Sequence, residues 1–166
     1  FRPLFHRLPA SSLPFNMRQR ICILGATGSV GQSTLDVVAQ HPDRFEVFAL
    51  SAQVRMDDLV RLCEHWRPRY AAVANATQAT DVARRLRDYG VKTEVLHGPR
   101  ALCDLAAHPE VDSVMAAVVG AAGLAPCLAA AASGKRLMLA NKEALVVGAG
   151  LFMRTVREGG AALLPI

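Results

Sequence analysis

Seven short apolar runs alternate with six longer stretches of helical period, and this alternation limits the fold more than any other feature. The runs fall at residues 20–24, 46–51, 70–74, 93–96, 112–119, 136–140 and 162–165. Between them lie 29–40, 57–66, 77–89, 99–107, 124–132 and 142–158, where apolar side chains return every three or four residues. In 29–40 the expected inward face is Val30, Leu35, Val38 and Ala39; in 57–66 it is Leu59, Val60, Leu62 and Cys63. Breakers sit between the stretches: His41-Pro42-Asp43, Arg67-Pro68-Arg69, Gly90, Ser133-Gly134 and Gly159-Gly160. Pro99 suits the first turn of a helix. Strand runs that are apolar almost throughout are buried on both faces, which is the mark of a parallel sheet covered by helices. The expected architecture is therefore α/β: a Rossmann-like, doubly wound, mostly parallel sheet of about seven strands in three layers.

Composition narrows the function classes. At 20% charged and 52% hydrophobic residues the chain is too apolar to stay disordered. Aromatic residues make up 5%, too few for the stacking platforms that hold single-stranded nucleic acid. The formal charge of +5 rests on dispersed arginines such as Arg84, Arg85 and Arg87, with Lys92, Lys135 and Lys142 as the lysines. Scattered charge reads as solvated helix surface, so neither nucleic acid nor membrane is an expected partner. The longest apolar run, 116–132, is broken by glycines and Pro126 and does not span a bilayer. Residues 1–16 hold Pro3, Pro9 and Pro14 and no period. They read as a disordered leader ahead of Met17, with no apolar stretch long enough for a secretory signal. One domain over residues 17–166 and a cytoplasmic location follow. Cys22, Cys63, Cys103 and Cys127 have mostly apolar neighbours and read as packing residues. His41, His65, His97 and His108 adjoin turns or helix ends, without the spacing of metal ligands. Trp66 reads as core.

The loop after the first strand is Gly25-Ala26-Thr27-Gly28-Ser29-Val30-Gly31. Opening a βαβ unit, G-x-x-G-x-x-G is a phosphate-binding pattern. Gly25 permits a tight turn, Gly28 lets a pyrophosphate approach the backbone, and Gly31 allows close helix–strand packing. The backbone N–H groups at the helix start would receive the phosphate, with Thr27 and Ser29 adding hydroxyls. The end of the second strand tells the cofactors apart. Sites that prefer NAD place a carboxylate there for the ribose 2′-hydroxyl. Here it reads Leu50-Ser51-Ala52-Gln53-Val54-Arg55; Glu46 is at the wrong end and Asp57 and Asp58 belong to the next helix. Ser51 and Arg55 suit a 2′-phosphate instead, so NADP is expected over NAD.

After the sixth strand comes Asn141-Lys142-Glu143. Three polar residues at the carboxyl end of a buried strand stand where open α/β sheets bind ligands. Lys142 can hold an anionic substrate, Asn141 can orient a cofactor amide or ribose, and Glu143 also favours a helix start.

Taken in order, four stretches resemble one family. They are residues 23–31 with Ser33-Thr34-Leu35-Asp36-Val37-Val38, then 114–124 (VMAAVVGAAGL), then 139–146 (LANKEALV), then Leu163-Leu164-Pro165-Ile166. The chain from about residue 18 onward resembles the N-terminal part of the 1-deoxy-D-xylulose 5-phosphate reductoisomerases, NADPH enzymes of non-mevalonate isoprenoid synthesis (the MEP pathway). The resemblance implies a metal-binding oxidoreductase that turns the sugar phosphate into 2-C-methyl-D-erythritol 4-phosphate with NADPH and Mg²⁺ or Mn²⁺. It implies pyrophosphate contacts at Thr27, Gly28, Ser29 and Val30, further cofactor contacts at Asn141 and Glu143, and a substrate contact at Lys142. Met115, Ala116, Ala117 and Gly120 would floor the nicotinamide pocket. It also implies a homodimer whose contacts lie largely elsewhere. Two departures stand out. Many members have Ala-Gly-(basic or Ser)-Asn where this chain has Ala52-Gln53-Val54-Arg55. And the family's metal-binding Asp-Ser-Glu follows directly on Leu-Leu-Pro-(Val/Ile), where this sequence stops, so these 166 residues are expected to bind cofactor without turning over, with neither a catalytic nor a metal-ligating residue among them. Rival readings are the NADP domain of a homoserine or semialdehyde dehydrogenase, or a dinucleotide-binding fragment without catalysis.

Overall fold

The computed structural model describes residues 17–140, 145–146 and 148–166. The expected leader at 1–16 lies outside them. Seven strands run as β1 (Gln19–Leu24), β2 (Phe45–Ser51), β3 (Tyr70–Val73), β4 (Glu94–His97), β5 (Ser113–Ala116), β6 (Arg136–Leu139) and β7 (Ala162–Pro165). Every neighbouring pair is parallel, in the order β4-β3-β2-β1-β5-β6-β7. The helices are α1 (Ser29–Gln40), α2 (Met56–Trp66), α3 (Ala76–Asp88), α4 (Pro99–Ala106), α5 (Leu124–Ala132) and α6 (Ala149–Gly159). The sheet is doubly wound as expected, and all-parallel.

Alternation along the strands divides the core in two. Cys22, Leu24, Val114, Ala116, Leu137 and Leu139 pack with α4, α5 and α6, where Phe152 is fully buried. Ile21, Ile23, Val47 and Met115 pack with α1, α2 and α3. Successive residues on a strand point to opposite faces, so a single apolar run feeds both layers.

Beyond shifts of a residue or so at element ends, the structure departs from expectation at β5, before α6 and on the face of α1. β5 ends at Ala116 rather than at residue 119. Its neighbour β1 ends at Leu24, whose carbonyl still accepts the Ala117 N–H, and the chain turns away at Gly25. The chain then turns through a short 3-10 segment, Ala121–Gly123. Of the helix expected over 142–158, residues 142–144 and 147 lie outside the described residues; Leu145 and Val146 are helical, Gly148 is a bend, and α6 starts at Ala149. Gly148 and Gly150 flank that start, and glycine is a poor helix former. Finally, α1 buries Gly31, Leu35 and Val38, while Val30 and Ala39 are exposed. Val30 instead edges an apolar groove of about 500 Å³ beside α1, floored by Ile21, Met115 and Met138.

At the amino end of the sheet the structure holds a buried lysine that the sequence reading missed. Gly134, with φ +70, closes α5 by the bonds Gly134 N–H to Ala131 and Lys135 N–H to Ala130. This C-terminal turn swings Lys135 inward. Its Nζ donates to the carbonyls of His108 and Val111, both at 2.6 Å, and the residue is 1% exposed. His108, just past α4, is half-buried. Its ring packs on Phe48 and Tyr70, with centroids 4.9 and 5.6 Å apart, and its Nδ1 accepts the Glu110 N–H at 3.1 Å.

Candidate cofactor-binding site

The glycine loop is built into the carboxyl end of β1 by backbone contacts that exclude side chains. Gly25 takes φ +83, a region other residues rarely enter. Its N–H donates to Ser51 Oγ at 3.0 Å, and the next N–H, of Ala26, donates to the Ser51 carbonyl at 2.8 Å. A Cβ on Gly25 would stand 2.8 Å from the Ala117 carbonyl oxygen. A Cβ on Gly31 would stand 2.3 Å from the Gly25 oxygen, so α1 presses directly on the turn. Gly28 is different: it is exposed, φ is −78, and a Cβ there would meet only Gly25 O at 3.6 Å. Nothing in the fold needs Gly28 to lack a side chain.

Beyond Gly28 the chain enters α1 with Ser29 and Val30 exposed at its first turn. The first N–H groups of a helix have no intrahelical acceptor and carry the positive end of its dipole. Thr27 lies under the loop, 9% exposed. Its carbonyl accepts from Arg55 Nη1 at 3.2 Å. The structure thus brings Arg55, the residue before α2, across to the glycine loop. The bond uses one of five guanidinium donors, and the side chain is exposed. Ser51, by contrast, is 3% exposed beneath the turn, with its hydroxyl engaged by Gly25.

Among the described residues, the carboxylates nearest Arg55 in sequence are paired elsewhere. Asp57 pairs with Arg85 at 2.8 Å and Asp58 with Arg61 at 3.3 Å. Glu46, at the far end of β2, lies near Arg18 and Arg20, 3.8 Å from each. Ala116 and Met115 are buried at the end of β5; Ala117 is half-buried, and Gly120 turns the chain with φ +80. The Met115 side chain lines the groove beside α1. Asn141, Lys142 and Glu143 lie outside the described residues. Among the described residues no three His, Cys, Asp or Glu side chains gather as a metal could use. No thiol is poised as a nucleophile: burial pushes Cys22 and Cys63 up to about 12 and Cys127 to about 11.

A tight glycine turn, an arginine laid across it and a seven-stranded parallel sheet make a candidate cofactor site. The family model described as 1-deoxy-D-xylulose 5-phosphate reductoisomerase matches residues 21–149. This chain belongs to that family. The reductoisomerase of Aromatoleum aromaticum is 60% identical over 148 residues, which cover 89% of this chain and 37% of that protein. A crystal structure of a reductoisomerase holding NADPH, fosmidomycin and magnesium matches at 41% identity with a TM-score of 0.86, over 89% of this chain and 36% of that one. The Zymomonas mobilis reductoisomerase with NADPH matches at 39% identity and a TM-score of 0.83, over 89% and 38%. The chain therefore spans little more than a third of the reductoisomerases it matches. A homoserine dehydrogenase from Archaeoglobus fulgidus, the rival reading, shares the fold alone, at 18% identity. Among the described residues no helix is long and apolar enough to cross a membrane.

Proposed function

We propose that this chain is the NADPH-binding part of a reductoisomerase that converts 1-deoxy-D-xylulose 5-phosphate to 2-C-methyl-D-erythritol 4-phosphate in isoprenoid synthesis. The observation that carries the reading is the Arg55 bond to the Thr27 carbonyl, which puts a cation on the glycine loop where a 2′-phosphate would need one. Family membership and the NADPH-bound reductoisomerase structures support it.

Each residue has a separate task in this reading. The α1 N-terminus, through the N–H groups of Ser29 and Val30, receives the pyrophosphate, and Gly28 lets it come close. Gly25 and Gly31 hold the turn in shape, and Ser51 pins it from below. Arg55 binds the 2′-phosphate. Ala116 and the chain after it floor the nicotinamide end, with Asn141 and Glu143 as further cofactor contacts and Lys142 on the sugar phosphate, as the family resemblance implies. NADPH, when bound, supplies hydride. The described residues offer no ligand set for Mg²⁺ or Mn²⁺, and no metal step is assigned to them. The reading takes residues 17–166 as one domain, in a cytoplasmic enzyme that works as a homodimer on small molecules alone.

Isothermal titration with NADPH and NADH tests it. Wild-type chain binds NADPH the more tightly, and Arg55→Ala erases most of that difference. Binding to neither dinucleotide overturns the reading; an unchanged NADPH/NADH ratio in Arg55→Ala removes Arg55 from it. The chain by itself, over a third of its relatives' length, is proposed to bind without turnover. Metal-dependent NADPH oxidation with the sugar phosphate would contradict that.

A further inference from the structure

The segment that carries Arg55, residues 52–55, has little regular structure of its own. Ala52 is held by its N–H bond to the Ala72 carbonyl, at 3.1 Å, and Gln53, Val54 and Arg55 are exposed. Two side chains tie it down from opposite sides. Arg55 itself reaches the Thr27 carbonyl. The other tie comes from α3. Asn75 caps that helix, its Oδ1 accepting the Gln78 N–H at 2.9 Å. In such N-cap pairs the residue three positions on turns its side chain back to an N–H before the helix. Gln78 does so, accepting from the Ala74 N–H at 3.0 Å through Oε1. Its amide has a second end, and Nε2 donates to the Gln53 carbonyl at 2.9 Å. A Glu in this position would serve the helix equally well but has no donor for Gln53.

From this geometry we infer that Gln78 is a positioning residue for dinucleotide selectivity: it straps the Gln53 carbonyl so that Arg55 is held over the glycine loop, ready for a 2′-phosphate. This rests on the reading of Arg55 given above. An exposed segment that ends in a long side chain at 55 gains from an outside tie. Ordering the segment before the ligand arrives removes that entropy from the binding cost. The strap serves the 2′-phosphate alone, so it favours NADPH and leaves NADH nearly indifferent.

The test is titration of the 166-residue chain with both dinucleotides for wild type, Gln78→Met, Arg55→Ala, the double variant and Asn75→Ala. Gln78→Met keeps the length of the side chain and loses both bonds. It is expected to weaken NADPH about five-fold and NADH less than two-fold, an effect in the range of one well-made hydrogen bond. In the double variant the NADPH/NADH ratio falls no further than in Arg55→Ala, because one residue acts through the other. Asn75→Ala weakens the start of α3 and lowers the melting temperature but leaves the ratio alone, which separates the strap from simple helix capping. If Gln78→Met leaves the ratio at the wild-type value while Arg55→Ala lowers it, the strap is wrong and the Arg55 reading stands. If the two variants lower the ratio additively, Gln78 does not act through Arg55 and the inference is overturned. An unchanged ratio in Arg55→Ala, or no NADPH binding by wild type, defeats the underlying reading and the strap with it.

Discussion

The two ends of the sheet use polar groups in opposite ways. At the amino end they are consumed internally. Lys135 Nζ is bonded to two carbonyls, Arg20 and Arg69 both pair with Glu110, and the Arg20 N–H donates to Asp112 Oδ2. At the carboxyl end the same chain presents a helix start with no acid in its first turn, a bare Gly28 and an exposed Arg55. Parallel strands make this division natural, since every βα loop gathers at one end and the returning turns at the other. The amino end is where stability should respond to mutation, and the carboxyl end is where ligand affinity should.

The glycines of one loop test this most severely. Gly31→Ala drives a Cβ into backbone at 2.3 Å from Gly25 O and 2.7 Å from Ala26 Cα, neither of which can swing away. Overpacking against backbone costs about 3 kcal/mol or more, and the turn it distorts is the phosphate site. Melting temperature and NADPH affinity are expected to fall together. Gly28→Ala, three residues earlier, should separate them. Its φ suits alanine and its surroundings have room, so the fold is unharmed or gains about 0.5 kcal/mol from a stiffer unfolded chain. A pyrophosphate against that backbone loses its approach, and NADPH titration should show at least a ten-fold drop. A stable Gly28→Ala that binds NADPH normally would break the assignment of the loop.

Lys135→Met is the mirror case. It leaves the His108 and Val111 carbonyls without their cation in a buried site, at a cost of about 2–3 kcal/mol. Denaturant unfolding should show the loss, while titration below the new melting point finds NADPH affinity within two-fold of wild type. A large loss of affinity would mean that the two ends are coupled. Arg55→Ala reverses the pattern on a smaller scale: about a ten-fold fall in the NADPH/NADH ratio, or ~1.4 kcal/mol, with unfolding unchanged.

The carboxyl end was the more legible of the two. Glycine spacing and a strand end without a carboxylate are local patterns, and each is written in consecutive residues. The strands and helices were legible for the same reason, because burial on both faces leaves a long apolar run and burial on one leaves a period. What the sequence hid depends on contacts between distant residues. Lys135 looks like any charged residue after a helix, and only the inward turn at Gly134 and two carbonyls from the α4–β5 connection make it a core residue. His108 is hidden in the same way, since Phe48 and Tyr70 come from other strands. Val30 erred in the other direction: the helical period places it inward, but α1 has the apolar groove beside it. The strap from Gln78 to Gln53 spans 25 residues and leaves no pattern in either segment.

His108 offers the smallest and most specific test of the amino end. Burial against Phe48 and Tyr70 lowers its pKa, with the Arg69 and Lys135 charges acting in the same direction and Glu110 against them. Its Nδ1 accepts the Glu110 N–H, which the doubly protonated ring cannot do. The folded protein therefore prefers neutral imidazole, and the unfolded chain takes up the proton first as pH falls. The stability this contributes is complete above the ordinary value of about 6.5 and is lost as pH drops through the lower folded value. Melts followed from pH 8 to pH 5 should show a decline that begins near that ordinary value, ahead of the carboxylates. His108→Gln removes the titrating group while keeping a polar side chain, and its melting temperature should be flatter across the same window. NADPH affinity should not follow the decline, because the ring lies at the end of the sheet away from the glycine loop. If His108→Gln retains the full slope, the acid sensitivity does not come from His108, and the amino end is not held by a neutral histidine.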